Sequence, residues 1–594
     1  MDSPPNVVDS SPSGSVDREP VRDAADTMVG EQVVFPSLPF LPPEIWTMVF
    51  RHLGPFSLSR VRATCRTWNR IVCNCRALMD NFCIQLDGKS FVKNTENVRA
   101  LVTTGDGGFT RVRFHEVSLV IPELMGVCWA PMAENLHTLS IVKCRLLFSF
   151  VVQLLEQTRN LRVLCFCDLE PRKELEDVSC SFRLDGLRNL RLALFGNALD
   201  AKILRIFREM CPRLEALEIK PKPWTQPSAE FSHEVVSFVK ASRDTLVELT
   251  INPTKDLSEQ LAAMNGLSLA RLKLEEISIP MRELVCIIMA QKSHLEYLEL
   301  NGSVGYDARL DIPKGGYTFP KLKNLQLYIQ DIDLECIEMN FLHTMPKLEI
   351  LQIQEIDFDS LEEELPNLKE LIIINSLYRN SLEDIIQWCP NVRKVHLNDI
   401  SILYLKEILE MVRLSENIEE LTLTEIFQPE IENGLYDLHQ ETGDYSLTSE
   451  DLDLGMDTVS FQTHSSTTMR ILDLQTDIPC QLLRTMVMVY PNLAELYLNH
   501  EPRCDSVFFV ICRRLPQLKI LGLCHCGKRV KSRVTESPRP SELLVITCQR
   551  DDGRVVRLLQ LFAVNELSFV PCRCLKQDDY ICLHRKNCSH NRCV

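Results

Sequence analysis

Between Cys572 and Cys593 the chain holds seven side chains able to bind a soft metal: Cys572, Cys574, Cys582, His584, Cys588, His590 and Cys593. Zinc takes four thiolate or imidazole donors in a tetrahedron, so the number suffices. The spacing argues the other way. C-x-C and C-x-H occur and C-x-x-C does not, and a ligand count is not a geometry. These seven stand as the metal candidates, with Cys524, His525 and Cys526 upstream. The alternative, a thiol-rich tail with no metal, is the reading adopted, and no cofactor is expected.

Other patterns promise less chemistry. Gly105-Asp106-Gly107-Gly108 has neither the lysine nor the spacing of a phosphate loop and reads as a turn. No nucleophile elbow or H-E-x-x-H occurs, and pairs such as Glu362 and Glu363 read as charged helix faces. The chain is therefore expected to be non-enzymatic. The basic run from Lys528 to Arg533 reads as a nuclear signal or as a solvated loop.

The elements that position these residues follow from length and composition. With 594 residues, 45% hydrophobic and 25% charged, the chain is too long for one ordinary compact domain unless it is built from repeats. A net charge of -16 argues against general nucleic-acid binding and against attraction to anionic membranes. No run of eighteen apolar residues is present, so no membrane span is expected. Residues 1–37 carry five prolines and seven acids against two arginines, and read as a disordered acidic tail without a secretory signal. The 24 cysteines are then expected as thiols in a reducing compartment, cytoplasm or nucleus or both.

Residues 38–82 organise the N-terminal part. Pro42 and Pro43 precede an apolar periodic stretch, where the first helical turn has no partner for its N–H. Glu44 follows in the first turn, favoured there by the helix dipole. Ile45, Met48, Val49 and Leu53 stripe one helix face, and Gly54-Pro55 ends the helix. A second rhythm runs through Leu58, Val61, Cys65, Trp68, Ile71 and Val72, with Arg60, Arg62, Arg66 and Arg70 on the polar side. Three such short helices fall near the limit of roughly 40–60 residues below which a domain needs outside help. The expectation is a module that hands an apolar stripe to a partner.

Leu41-Pro42-x-Glu44-Ile45, Val49-Phe50, Leu53, Leu58, Val61 and Cys65-Arg66-x-Trp68 together resemble the F-box motif. Thr64 and Trp46 depart from it, standing where the family usually has an apolar residue and often a leucine. The resemblance implies that Leu41, Pro42, Ile45, Val49, Leu53, Leu58, Val61, Cys65 and Trp68 enter, or support, an interface with the Skp-family adaptor. That adaptor joins the module to a cullin–RING ubiquitin ligase.

After a transition at 83–110 the frame L-x-x-L-x-L recurs, often led by a proline two residues earlier, as in Pro320-Lys-Leu322-Lys-Asn-Leu325-Gln-Leu327. Its first apolar position falls at 136, 161, 187, 214, 246, 269, 295, 322, 348, 368, 392, 418, 469, 493 and 518, mostly 23 to 27 residues apart. This pattern resembles the leucine-rich repeat. The fold class expected is α/β: a trihelical module, then a solenoid over 111–527 with a curved parallel sheet inside and helices outside. The double-length interval holds an acidic insertion, 427–465, readable as a degenerate repeat or a long loop, with Ser449 as a possible kinase site. Residues 528–594 read as a C-terminal cap and tail.

Alternation along each strand sends the residues two, four and six places after the first leucine to the concave face. Tyr297, Tyr328, Ile350, Ile372, Ile374, Ile471, Tyr497 and Ile520 are thereby the candidates for holding a target protein, because aromatic and aliphatic groups among amides suit a protein contact. A slip of one residue would exchange the two faces. The F-box and repeat order resembles substrate receptors of SCF-type ligases. A non-degradative binding scaffold and a C-terminal zinc-dependent nucleic-acid module are the competing readings.

Overall fold

The computed structural model describes residues 41–87, 109–117, 129–130, 132–145, 147–167, 180–222, 227–277, 279, 281–303, 318–330, 339–354, 361, 363–374, 382–398, 415–424, 468–475, 480–498, 511, 514–523, 542–547 and 566–571. The acidic tail, the Gly105 loop, the 427–465 insertion, the basic run and the Cys/His segment lie outside these residues.

Helix α1 (Pro43–Arg51) begins where the paired prolines place it, with Pro42 as N-cap. The Pro42 carbonyl accepts from the amides of Ile45 and Trp46 at 3.0 and 3.2 Å. Helix α2 (Pro55–Thr64) starts on a proline after Gly54. Helix α3 (Arg66–Asn74) is capped by the Cys65 thiol, whose Sγ accepts from the Trp68 amide at 3.4 Å. A fourth turn, α4 (Arg76–Met79), follows directly, so the module has one more helix than the apolar rhythm suggests. Phe50, Leu58, Ile71, Val72, Leu78, Met79 and Phe109 form its closed core, with Trp46, Leu53, Val61 and Trp68 packed against it. Trp46, Phe50 and Trp68 meet ring to ring, with centroids 4.9 to 5.6 Å apart, and such aromatic pairs add to plain area burial.

Among the described residues, the strands that follow form one sheet of nineteen. It opens with β1 (Ile84–Asp87), β2 (Arg111–His115), β3 (Thr138–Val142), β4 (Val163–Cys167), β5 (Asn189–Leu194) and β6 (Ala216–Pro221). It continues through β7 (Glu248–Ile251), β8 (Arg271–Ile277), β9 (Tyr297–Ser303), β10 (Asn324–Gln330), β11 (Ile350–Ile353), β12 (Glu370–Ile373) and β13 (Lys394–Asn398). It ends with β14 (Glu420–Thr424), β15 (Ile471–Gln475), β16 (Glu495–Leu498), β17 (Ile520–Leu523), β18 (Glu542–Thr547) and β19 (Glu566–Pro571). Each strand pairs in parallel with its neighbours in chain order. The intervals carry helices such as α5 (Phe148–Glu156), α6 (Ala198–Met210), α7 (Ala229–Ser242), α8 (Lys255–Ala262), α9 (Met281–Ala290), α10 (Leu382–Trp388) and α11 (Cys480–Val489). Parallel pairing requires such a crossover between strands.

The frame residues line the core. Leu322, Leu325 and Leu327 are buried, as are Leu368, Leu371 and Ile373, and one continuous apolar cluster runs from Val112 to Leu521. A single repeat cannot cover its own apolar face, so stacking supplies the burial. An asparagine just before the first frame position adds a link the apolar frame does not reveal. The side-chain amides of Asn367, Asn391 and Asn417 donate to the carbonyls of Pro346, Pro366 and Pro390 in the preceding turns, at 2.7, 2.8 and 2.8 Å.

Two expectations change. The sheet begins at β1, inside the stretch read as a transition, because Ile84-Gln-Leu86 pairs with β2 although it lacks the full frame. It also extends past 527 through β18 and β19. There the register sets Glu542 and Thr547 of β18, then Glu566 and Pro571 of β19, where earlier repeats have leucines, which hides both repeats from the pattern. Strands β14 and β15 pair directly, Leu421 against Leu472, across the long interval. Among the described residues no strand stands between them in the sheet.

Candidate functional site

Six large hydrophobic residues stand exposed among the described residues, and four of them are Leu41, Ile45, Met48 and Val49, at 36, 41, 59 and 42%. Ile45, Met48 and Val49 sit at helical spacing on α1, and Leu41 precedes its first turn. The same helix turns Trp46 and Phe50 inward. Helix α1 is thus apolar on two sides. One closes the module's core, and the other lies open to a partner. Met48, the most exposed of the four, belongs to the apolar stripe in the sequence yet falls outside the motif positions, which is why motif reasoning passed over it.

The remaining motif residues divide by role. Leu58 is fully buried, and Leu53, Val61 and Trp68 are half-buried against the core. Pro42 and Cys65 are caps whose backbone carbonyl and thiol, respectively, start helices. These residues hold α1 in place. Of the four arginines assigned to a basic face, Arg62 departs. Its Nε donates to Asn69 Oδ1 at 3.1 Å, and its guanidinium lies 5.3 Å from the Phe82 ring centre and 5.8 Å from that of Phe109. Arg60, Arg66 and Arg70 are exposed.

Along the sheet, strand after strand buries its fourth and sixth frame positions and leaves the alternate ones half-covered. Tyr297, Tyr328, Ile350, Ile372, Ile374, Ile471 and Tyr497 are all half-buried on that alternate face. Ile520 is the exception. It is 8% exposed, so it offers almost nothing to a ligand, although it shares the frame position of Ile350 and Ile471. Beside it, a Cβ at Gly522 would overlap the Tyr497 ring, so only glycine leaves that ring its place.

Much of the alternate face is already paired with itself. Tyr297 donates to Glu299 at 2.6 Å, while Arg271 and Lys273 each lie 5.2 Å from its ring centre. Lys273 also pairs with Glu299 at 3.2 Å. Lys220 bridges Glu218 and Glu275 at 3.0 and 2.7 Å. Burial works against its ammonium, but the two carboxylates outweigh it and raise the Lys220 pKa. Tyr497 donates to Glu495 at 2.7 Å. Burial and the Glu299 carboxylate push the Tyr297 hydroxyl well above the ordinary phenol range. Ile350 on β11, Ile372 on β12 and Ile374 just after it are apolar members of this surface, with Ile350 in register with Glu370 and Ile372 with Gln352.

One thiol pair shares the same face near the start of the sheet. Cys165 and Cys167 on β4 bring their Sγ atoms to 3.4 Å. The Cys167 hydrogen bond draws the Cys165 pKa down to about 7 against the opposing effect of burial. Buried Cys389 is pushed up to about 12 by desolvation. Among the described residues no cluster of three or more His, Cys, Asp or Glu is arranged to hold a metal, and no helix is long and apolar enough to cross a membrane. The seven candidates from Cys572 to Cys593 lie outside those residues.

No curated protein matches the chain. Residues 38–85 match the F-box-like family, so the helical module with the open face of α1 is an F-box-like domain.

Proposed function

We propose that the chain is the substrate-recognition subunit of an SCF-type cullin–RING ubiquitin ligase. The F-box-like domain binds the Skp-family adaptor, the strands form leucine-rich repeats, and their concave face holds the protein to be ubiquitinated. The observation that carries this reading is the unpartnered apolar face of Leu41, Ile45, Met48 and Val49 within the matched stretch. Fully burying a side chain of this size stabilises a complex by about 1.5–3 kcal/mol. The exposed Arg60, Arg66 and Arg70 suit an acidic partner and speed encounter more than they add affinity.

The chain supplies no nucleophile in this scheme, and ubiquitin transfer belongs to partner subunits. The target touches the alternate strand face, with Ile350, Ile372 and Ile374 as apolar anchors. The complex works in the cytoplasm or nucleus. The test is co-precipitation of adaptor and cullin with the full chain, together with the half-life of captured targets when residues 38–85 are deleted. The proposal expects capture of both subunits and target half-lives that lengthen on deletion. Capture of targets whose half-lives do not change would make the chain a non-degradative scaffold instead.

A further inference from the structure

A row of basic residues crosses the junction between the F-box-like domain and the first repeats. In each repeat the residue just after the first frame leucine sits at the entry to the strand, where its amide bonds to the equivalent carbonyl of the repeat before. Elsewhere several cations at these positions meet a carboxylate across the gap, including the adjacent Lys369 and Arg393. Lys323 meets Glu296 at 3.5 Å, Lys369 meets Glu349 at 2.9 Å, and Arg393 meets Glu419 at 3.6 Å. At the N-terminal end the row reads His137, Arg162, Arg188, and a glutamate closes it only at Glu215, 3.1 Å from Arg188. Adjacent like charges on neighbouring strands destabilise a sheet. Arg162 pairs with no carboxylate among the described residues, and neither does Arg159 two residues before the frame leucine.

These side chains face a cavity of about 430 Å³. Arg76, Asn74 and Met79 line it from the F-box-like domain, and Glu134, His137, Arg159 and Arg162 from the repeats. Arg76 hydrogen-bonds the His137 ring, which therefore accepts as the neutral imidazole. Burial, then Arg76 and Arg162, hold the His137 pKa below its ordinary value. Two acids stand near: Glu134 on the lining, and Asp80, which accepts from the Thr110 hydroxyl at 2.6 Å. Three guanidiniums outnumber them in a chain whose net charge is -16. The volume lies within the range of small-molecule sites, about 300–1,000 Å³, and the lining is mostly polar.

We propose that this cavity binds a small soluble anion carrying more than one phosphate group, gripped by Arg159, Arg162 and Arg76. Planar guanidinium forks match phosphate oxygens two at a time, which an ammonium does not do. Because the lining comes from both parts of the chain, the bound anion ties the F-box-like domain to the first repeats and fixes the angle between them. Nothing in this proposal depends on the ligase reading, so either can fail alone.

The test titrates tripolyphosphate, orthophosphate and citrate into the full chain by calorimetry at constant ionic strength. Thermal melts run in parallel. The expected result is one saturable tripolyphosphate site, orthophosphate and citrate each at least about tenfold weaker, and a raised melting temperature. Arg159→Gln/Arg162→Gln lowers affinity at least about tenfold. Arg159→Lys/Arg162→Lys, which keeps charge without forks, falls between, and Arg393→Gln at a distant repeat leaves binding unchanged. Circular dichroism establishes that each variant is folded. The proposal is overturned if tripolyphosphate behaves like matched potassium chloride, if citrate binds as tightly, or if the folded glutamine variant binds like wild type.

Discussion

On α1, Ile45, Met48 and Val49 stand exposed along one helix face, whereas on the strand face Tyr297, Glu299, Lys273, Tyr497 and Glu495 are already bonded to one another. The first surface gains free energy from any partner that removes it from water, with few hydrogen bonds to exchange. The second must trade existing bonds for new ones, so a partner gains there only when its own groups replace them well. An apolar helix face suits a constant partner. A bonded polar face with an isoleucine patch suits selective recognition, because an unsuitable partner leaves buried groups unpaired.

The largest effect tests what holds the first surface in place. Leu58→Ala removes a fully buried side chain from the small core behind α1 and should cost about 2–5 kcal/mol, seen as a lower denaturation midpoint for that domain. Next is Gly522→Ala, which drives a methyl group into the Tyr497 ring. Overpacking of this kind should cost about 1–3 kcal/mol, and Tyr497→Ala in the same chain should recover part of it. Asn367→Ala cuts one turn-to-turn hydrogen bond and should lower stability by about 0.5–1.5 kcal/mol in chemical denaturation, with adaptor capture unchanged.

Two smaller effects read electrostatics. His137 has its pKa held below 6.5, by burial first and then by Arg76 and Arg162. The unfolded chain therefore takes up more protons there than the fold does, so the contribution is present above pH 6.5 and is lost as pH falls through and below it. Wild type should lose more melting temperature than His137→Gln between pH 7.5 and 5.5. Cys165, with a pKa of about 7, should react with iodoacetamide at neutral pH well ahead of buried Cys389, because the thiolate is the nucleophile. Peptide mass spectrometry of the labelled fold reads the order.

Local patterns carried much of the architecture. The prolines at 42 and 43 mark the start of α1, and the P-x-L turns mark the strands because each repeat signals itself in a few adjacent residues. The phase of the strand faces was equally legible, since leucine at the fourth and sixth frame positions leaves the alternate side chains no other side. What escaped depends on neighbours distant in sequence. Strands β18 and β19 are strands by pairing, not by frame. Ile520 looks like Ile350 in its own repeat, yet it is buried. Arg62 looks like Arg66 until the rings of Phe82 and Phe109 are beside it.

The account rests on α1 as the docking face, and adaptor affinity measured on three forms of the full chain tests it most directly. Ile45→Asp/Met48→Asp should weaken Skp-family adaptor binding by about a hundredfold or more, since burying unpaired carboxylates at an apolar contact is costly. Ile372→Asp/Ile374→Asp should leave that affinity unchanged. Equal affinity for all three forms, each shown to be folded, would contradict the account.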